Sequence, residues 1–423
     1  MAKIKEIKAY EILDSRGNPT VEAEVILADG VVGTASCPSG ASVGSYEAVE
    51  LRDHDMARYR GFGVLKAVEN IEKIIAPKLI GMEANKQQEI DKIMIELDGT
   101  QNKGRLGANA TLPVSMAIAK AGAKSSVLPL YLYLRQFTKR DGTEVTLKIP
   151  TPLFNLINGG KHADNSLNFQ EFLVIPASSK TYAESIQMGL SIKNSLGDIL
   201  RTNNLSTLIG DEGGFGPKLP TNFDALSILK QAIDKNPFRF GFDVFIGLDV
   251  SANNFYHEHQ YKIRDKAMEL SARDLIAYYK ELDKTFHFLY LEDPLSEDDW
   301  EGWSKIFTEL SQNAIIVGDD LTTTNPFRLQ MAIDKKAISG ILIKPNQIGT
   351  VIEAIAVVEV ARAMGLKITV SHRSGETNDD FIADFAVAVL ADYVKFGAPV
   401  RGERVAKYNR LFQIERQIRS IKV

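Results

Sequence analysis

The stretch from residue 288 to residue 395 decides the fold, because short apolar runs recur there and each ends in a charged residue or histidine. The runs are Phe288-Leu289-Tyr290-Leu291 before Glu292, Ile315-Ile316-Val317-Gly318 before Asp319, Ile341-Leu342-Ile343 before Lys344, Ile368-Thr369-Val370-Ser371 before His372, and Tyr393-Val394 before Lys395. These terminal residues follow one another at intervals of about 23 to 28 residues. An eight-unit barrel has roughly 30 residues per strand-and-helix unit. The stretch therefore predicts consecutive units of a parallel β/α barrel.

An earlier run extends the pattern, because Phe245-Ile246-Gly247-Leu248 ends in Asp249. The carboxyl ends of barrel strands open on one face, where barrel active sites lie. Helices are predicted between the strands. Ser271 with Asp274 three residues on predicts one helix start, and Asn325-Pro326 predicts another. We expect the strand-terminal residues to meet at one mouth.

The chain before the predicted barrel has a different pattern of apolar residues. Alternating apolar residues from Val21 to Leu27, followed by Asp29-Gly30, predict a hairpin, and helical patterns dominate from about residue 64 to 137. A polar break follows at 138–143. We expect an α/β protein with a smaller α+β amino-terminal domain at 1–138. A (β/α)8-type barrel then follows at 143–423.

Composition restricts the class of protein. The net charge of −4 gives no broad footprint for nucleic acid, and no apolar run reaches the roughly 18 residues of a membrane span. The first ten residues have no uninterrupted apolar stretch, which argues against a signal peptide. A single cysteine, Cys37, excludes an internal disulfide and a multi-cysteine metal site. We expect a cytoplasmic protein, and a secondary surface or secreted location stays open.

The residue types at the strand ends indicate the chemistry. Asp249, Glu292 and Asp319 are hard oxygen ligands without cysteine partners, a set that suits magnesium or manganese better than zinc. A lysine surrounded by cations, such as Lys344 or Lys395, can act as a general base near neutral pH. Each of these residues taken alone could be an ordinary helix cap or a solvated side chain. Six of them at corresponding strand ends favour a catalytic site instead. They indicate proton abstraction next to a carboxylate.

Two further stretches carry candidate groups. Thr207-Leu208-Ile209 predicts a strand end before the glycine-rich turn 210–216, which holds Glu212, and an ordinary turn is the alternative. Asn158-Gly159-Gly160-Lys161-His162 predicts a loop with one functional side chain, and a solvated histidine is equally compatible. His257-Glu258-His259 is interpreted as a surface turn, although two histidines at this spacing could chelate a metal.

Nine stretches resemble the enolase family, and together they span nearly the whole chain. They are Asp14-Ser15-Arg16-Gly17-Asn18-Pro19-Thr20, Pro38-Ser39-Gly40-Ala41-Ser42, Gly107-Ala108-Asn109-Ala110, Asn158-Gly159-Gly160, Gln170-Glu171-Phe172, Gly210-Asp211-Glu212-Gly213-Gly214, Glu292-Asp293-Pro294, Asn346-Gln347-Ile348-Gly349 and Ser371-His372-Arg373-Ser374-Gly375-Glu376-Thr377. The resemblance implies the reversible, magnesium-dependent dehydration of 2-phospho-D-glycerate to phosphoenolpyruvate in glycolysis and gluconeogenesis. It also implies two Mg²⁺ ions per site, a mobile active-site loop in the amino-terminal domain and a barrel with non-standard first units. The implied assembly is a homodimer, with an octamer as the alternative.

The resemblance further implies a role for each site residue. The implied catalytic residues are Lys344 as the base at carbon 2, Glu212 as the acid at carbon 3, Glu171 supporting that acid, and His162 and His372 beside them. The implied substrate contacts are Gln170, Lys395 at the carboxylate, Arg373 and Ser374 at the phosphate, and Ser42. The implied metal ligands are Asp249, Glu292 and Asp319 for the first ion and Ser42 for the second.

The chain departs from the family pattern at several positions, none of which removes an implied catalytic group. The departures are Val43, the run 250–254, Pro345, Gly402 and Gln413. They leave loop dynamics, subunit pairing and substrate range open. Two alternative functions also remain: a surface-binding scaffold that has lost turnover, and a superfamily enzyme acting on a sugar acid.

Overall fold

The computed structural model describes residues 2–40, 44–139, 146–163 and 167–421. The described chain opens with a three-stranded antiparallel sheet whose strands are β1 (Ile4–Leu13), β2 (Pro19–Leu27) and β3 (Val32–Ser36), with β2 in the centre. The alternating apolar residues of β2 are fully buried, so the predicted hairpin of β2 and β3 is confirmed. The sheet also includes β1, which pairs with β2 from Ile4 to Leu13.

Within the described residues five α-helices follow the sheet, with a π-helical stretch, Ile71–Ile75, between the first two. They are α1 (Leu65–Asn70), α2 (Ala76–Leu79), α3 (Gln87–Asp98), α4 (Ala108–Ser125) and α5 (Leu130–Arg135). Helix α4 packs against β2 and β3, and its side chains are almost all buried. Gly33 permits this approach, because a Cβ there would lie 2.2 Å from the carbonyl oxygen of Ala117. The sheet and the helices together form the predicted α+β unit.

Eight strands then close into a barrel. The described chain has ten strands in this region, which are, in chain order, β4 (Thr151–Asn158), β5 (Glu171–Pro176), β6 (Val244–Asp249), β7 (Tyr256–His257), β8 (Gln260–Tyr261), β9 (Phe288–Glu292), β10 (Ile315–Gly318), β11 (Gly340–Ile343), β12 (Lys367–Ser371) and β13 (Tyr393–Lys395). The barrel order is β4, β5, β6, β9, β10, β11, β12 and β13, which closes on β4, while β7 and β8 form a separate hairpin. Strand β5 runs antiparallel to both neighbours and all other barrel pairs are parallel, which confirms the non-standard first units.

Helices cover the outside of the barrel. They are α6 (Tyr182–Thr202), α7 (Asn222–Asp234), α8 (Ala272–Phe286), α9 (Trp300–Leu310), α10 (Pro326–Asp334), α11 (Val351–Ala363), α12 (Phe381–Ala388) and α13 (Gly402–Ile421). Both predicted helix starts are confirmed. Ser271 and Asp274 form a capping box at α8, and the Asn325 side chain accepts hydrogen bonds from two backbone amides of α10. No helix within the described ranges is long and apolar enough to cross a membrane.

The barrel interior is a packed apolar core. Its buried side chains are Leu153, Leu173, Ile175, Tyr290, Val317 and Leu342. Such a core leaves no channel, so polar chemistry is confined to the mouth above it. One local prediction was wrong, because residues 207–209 form no strand, and only Ile209 makes a single bridge, to Phe215. The glycine-rich turn after it is held by backbone bonds to β4 instead, as Phe215 N–H donates to the Leu156 carbonyl.

Candidate active site

The strand register brings the acidic residues together at the mouth. Asp249 is the register partner of Glu292 on β9 and of Glu171 on β5. Glu171 is the first residue of its strand, and it reaches the same mouth because β5 runs in the opposite direction. All three carboxylates are buried, with residue exposures of 2% or less. Buried carboxylates at this density require nearby positive charge.

Lys395, at the end of β13, supplies part of that charge. Its Nζ lies 3.0 Å from Asp249 Oδ2, 2.7 Å from Glu292 Oε1 and 3.4 Å from Glu171 Oε2. Burial would lower the pKa of Lys395, but Asp249, Glu171 and Glu292 raise it well above its ordinary value. Burial and the Asp249 charge raise the pKa of Glu292 to about 8, although Lys395 opposes them. Lys395 therefore offsets only part of the negative charge of these three carboxylates.

Lys344 and Asp319 form a second ion pair at the mouth. Lys344 Nζ donates to Asp319 Oδ2 at 2.5 Å, and Gln347 Nε2 donates to Asp319 Oδ1 at 3.0 Å. Burial opposes the charge on both partners. It is outweighed, since Asp319 raises the pKa of Lys344 and Lys344 with Lys395 lowers the pKa of Asp319. Lys344 is consequently an ammonium in this state.

The donor chemistry of the mouth fits a metal cation. Two groups have candidate ligand atoms within 4.8 Å of one another among the described residues: His162 with Glu171 and Glu212, and Asp293 with Asp319 and Asp320. The implied ligands Asp249, Glu292 and Asp319 surround the same mouth and offer only carboxylate oxygens, which hard divalent cations prefer. Asp293 has an orienting role, because its carboxylate accepts from the backbone N–H of Asp319 at 2.9 Å and of Asp320 at 2.7 Å.

Glu212 lies in a buried polar pocket beside this group. Its Oε1 is 3.6 Å from His162 Nδ1, and its Oε2 is 3.2 Å from His372 Nε2. Asn155 Nδ2 donates to the same Oε2 at 3.1 Å. His162 Nδ1 is also 3.5 Å from Glu171 Oε1, so the two glutamates face one imidazole. The loop residue His162 is thus 6% exposed and part of the site, which excludes the solvated alternative.

The two glutamates differ in proton affinity. Burial and the neighbouring Glu212 raise the pKa of Glu171 well above its ordinary value. Burial works in the same direction at Glu212, but His162, His372 and Arg404 hold the pKa of Glu212 well below its ordinary value. When both carboxyls compete for one proton, Glu171 therefore holds it.

Arg404 fixes the orientation of His372. Its Nη1 lies 2.6 Å from His372 Nδ1, and because a guanidinium can only donate, Nδ1 is the acceptor and Nε2 carries the hydrogen towards Glu212. Burial lowers the pKa of His372 to about 3. Arg404 also donates to the carbonyl oxygens of Arg373 and Ser374, both at 2.6 Å. It is fully buried and binds the glycine-rich turn through the Asp211 carbonyl.

The implied substrate contacts lie around the same mouth. Gln170 Nε2 is 3.4 Å from Asp249 Oδ2, while Asn254 Nδ2 donates to Gln170 Oε1 at 3.3 Å. The Arg373 guanidinium is buried and contacts Asn346 Oδ1 at 3.1 Å, and Ser374 follows it in a buried turn. Ser42 lies outside the described residues, as does Val43.

Several neighbours of the predicted site residues were not found from sequence. They are Glu47, Asn155, Gln347 and Arg404. Their partners are distant in the chain: Asn155 meets Glu212 across 57 residues and Arg404 meets His372 across 32. No local pattern separates Glu47 from Glu50, and only Asn346-Gln347 lies in a stretch that carried the family resemblance. By contrast, the interpretation of 257–259 as an exposed turn is confirmed.

The fold and the site define a class: a β/α-barrel enzyme with an amino-terminal α+β unit and a mouth of buried carboxylates and lysines. Two family models match the chain. The model described as "Enolase, N-terminal domain" matches residues 4–134, and the model described as "Enolase, C-terminal TIM barrel domain" matches residues 146–422. The chain belongs to the enolase family. It is accordingly a metal-dependent lyase that acts on a small-molecule substrate.

Proposed function

We propose that this protein catalyses the reversible dehydration of 2-phospho-D-glycerate to phosphoenolpyruvate, the phosphopyruvate hydratase step of glycolysis and gluconeogenesis. The observation that carries the proposal is the pairing of Lys344 with Asp319 at the mouth that also holds Glu212 with its neighbour Glu171. Dehydration next to a carboxylate needs one group to remove a proton and another to protonate the departing hydroxyl. Lys344 and Glu212 fit these two roles.

Lys344 is assigned as the base that takes the proton from carbon 2. In the described state Lys344 is protonated by virtue of Asp319, and an amine acts as a base only after that proton leaves. We propose two Mg²⁺ ions per site, the first held by Asp249, Glu292 and Asp319 and the second by Ser42. When bound, magnesium would take up the Asp319 charge that raises the pKa of Lys344, and it would neutralise the substrate carboxylate.

Glu212 is assigned as the acid that protonates the hydroxyl on carbon 3. Its low pKa makes it a carboxylate at rest, which is the form needed for hydration in the reverse direction. For dehydration the pair formed by Glu171 and Glu212 must supply a proton. The raised pKa of Glu171 keeps a proton on that pair. His162 lies within 3.6 Å of both carboxyls and His372 holds Glu212 from the other side.

Binding of the substrate is assigned to the charged residues at the rim of the same mouth. Arg373 and Ser374 are proposed to hold the phosphate, because a guanidinium fork matches phosphate oxygens. Lys395 is proposed to bind the substrate carboxylate, and Gln170 to contact the substrate from β5. These assignments favour 2-phosphoglycerate over an acid without phosphate.

The test is a direct assay of phosphoenolpyruvate formation from 2-phosphoglycerate, with and without Mg²⁺. We expect turnover that a chelator abolishes and added Mg²⁺ restores. A substrate screen that includes unphosphorylated sugar acids provides the comparison. Turnover of such an acid, with none of 2-phosphoglycerate, would contradict the proposal.

The remaining assignments concern organisation. We propose domains at 1–138 and 143–423, and the ranges matched by the two family models lie within them. We propose a homodimer, with an octamer as the larger alternative. A cytoplasmic location stays a prediction from the sequence.

A further inference from the structure

Glu47 occupies an unassigned position between the proposed phosphate site and the metal carboxylates. Its Oε2 accepts from Arg373 Nη1 at 2.7 Å, and its Oε1 accepts from Arg373 Nη2 at 3.2 Å. The two side chains are 5% and 3% exposed, so this is a buried two-point ion pair. The pair joins the amino-terminal domain to the barrel across 326 residues of sequence.

The same carboxylate is tied to the metal side of the mouth. Gln347 Nε2 donates to Glu47 Oε1 at 3.3 Å and to Asp319 Oδ1 at 3.0 Å. The amide of Gln347 has one orientation, because its Oε1 accepts from the hydroxyl of Thr324 at 2.7 Å. That hydroxyl in turn accepts from the backbone N–H of Lys344 at 2.9 Å. An unbroken hydrogen-bonded chain therefore runs from the proposed base to the proposed phosphate arginine.

We propose that Glu47 is the positioning residue of the phosphate site: it holds the Arg373 guanidinium in the plane needed to receive a phosphate, and through Gln347 it keeps that plane in register with Asp319. The inference rests on the proposed function, since it takes the ligand of Arg373 to be a phosphate. An arginine binds phosphate well only when the plane of its guanidinium is held, because N–H bonds other than the two donated to Glu47 must then point at phosphate oxygens.

A carboxylate is needed at this position and an amide does not replace it. Glu47 Oε1 already accepts from Gly44 N–H at 3.0 Å, from Gln347 and from Arg373, so the oxygen of a Glu47→Gln amide would take that place. The amide nitrogen would then face Arg373 Nη1, and two donors would oppose each other. The Arg373 guanidinium would then rotate away from residue 47, and the phosphate would lose an arginine that is already oriented for binding.

The experiment compares four proteins: wild type, Glu47→Gln, Glu47→Asp and Glu50→Gln. Glu50→Gln is the matched control, because Glu50 lies three residues along the same segment and acts on Arg373 only through its charge, while its own partners are Arg52 and Ser39. Steady-state kinetics with 2-phosphoglycerate give KM and kcat. Calorimetric titration with inorganic phosphate measures the arginine site without turnover, and circular dichroism checks folding.

For Glu47→Gln we expect KM and the phosphate dissociation constant to rise roughly ten- to hundredfold, which is the size of one hydrogen bond to a charged group. The change in kcat should stay within about fivefold. Glu47→Asp should recover part of the loss because the charge remains, and Glu50→Gln should resemble wild type. A merely structural role would lower kcat through a smaller folded fraction and leave KM unchanged.

Three results with the variants would overturn the proposal: unchanged constants in Glu47→Gln, tighter phosphate binding in that variant, or an equal loss in Glu50→Gln. Tighter binding would identify Glu47 as a competing counter-ion. Absence of phosphate binding to the wild type would remove the site itself. Wild-type protein without turnover that still binds phosphate, and loses it in Glu47→Gln, would refute the proposed function and retain this inference.

Discussion

Replacing Glu212 by glutamine distinguishes the role of the proposed acid from that of the proposed base, Lys344. The substitution fits the pocket, because the amide oxygen can take the place of Oε2 and accept from Asn155 Nδ2, while the amide nitrogen faces His162 Nδ1. His372 Nε2, whose hydrogen is set by Arg404, still meets an acceptor. The fold should therefore survive, and the variant should lack only the carboxyl that delivers the proton of the Glu171–Glu212 pair to the hydroxyl.

A positioned acid contributes roughly a hundred- to ten-thousandfold to its own step, which is about 2.7–5.4 kcal/mol of activation free energy. Glu212→Gln should lose turnover by that factor. It should still exchange the carbon-2 hydrogen of 2-phosphoglycerate with deuterated solvent within about tenfold of the wild-type rate, because Lys344 is intact. Lys344→Ala should lose both turnover and exchange, since Lys344 is the group assigned to remove that proton.

Exchange is followed by proton NMR in deuterated buffer with Mg²⁺, and circular dichroism confirms folding. Asp211→Asn is the control in the same turn, because the Asp211 side chain pairs with Arg16 at 3.4 Å and Arg404 is bound by its carbonyl. The control should turn over almost normally. Exchange at the wild-type rate in Lys344→Ala would refute the assignment of the base and would leave His372 as the candidate for that role.

Three further outcomes are expected. Asp319→Ala should abolish Mg²⁺-dependent turnover and remove a binding event from a calorimetric Mg²⁺ titration, whereas Asp334→Asn on the exposed end of α10 should do neither; full activity of wild type in excess chelator would contradict the metal assignment. Burial raises the pKa of Asp91 to about 7 from 3.8, so the folded protein keeps a proton that the unfolded chain has lost. The unfolding free energy should therefore fall by up to about 4 kcal/mol as pH rises from 4 to 7, and urea titrations should show a flatter profile for Asp91→Asn. Sedimentation at micromolar concentration should show a dimer or larger assembly, and a monomer would contradict this. The family resemblance implies that an arginine at position 413 pairs with the Glu22 region across the dimer, so Gln413→Arg should strengthen the assembly, by no more than about 1 kcal/mol because exposed ion pairs contribute little.

The barrel was predictable because its determinants are local. A short apolar run that ends in a charged residue specifies both a buried strand and the identity of the group at its carboxyl end. Parallel strands place those ends on one face, so the common location of Asp249, Glu292 and Asp319 followed from the pattern. Helix starts such as Ser271 and Asn325 were predictable for the same reason, since a cap acts on amides within three residues.

Tertiary structure alone decided the partners of those groups. Glu171 reaches the mouth because β5 runs antiparallel to its neighbours, and no residue within the strand indicates that direction. The sequence Thr207-Leu208-Ile209 is typical of a strand, but in the structure it pairs only through one bridge, from Ile209 to Phe215. Glu47 meets Arg373 across 326 residues, and Arg404 meets Asp211 across 193. Local sequence specifies backbone periodicity and the chemistry available, whereas side chains distant in the chain become partners only when packing of the whole core brings their elements together.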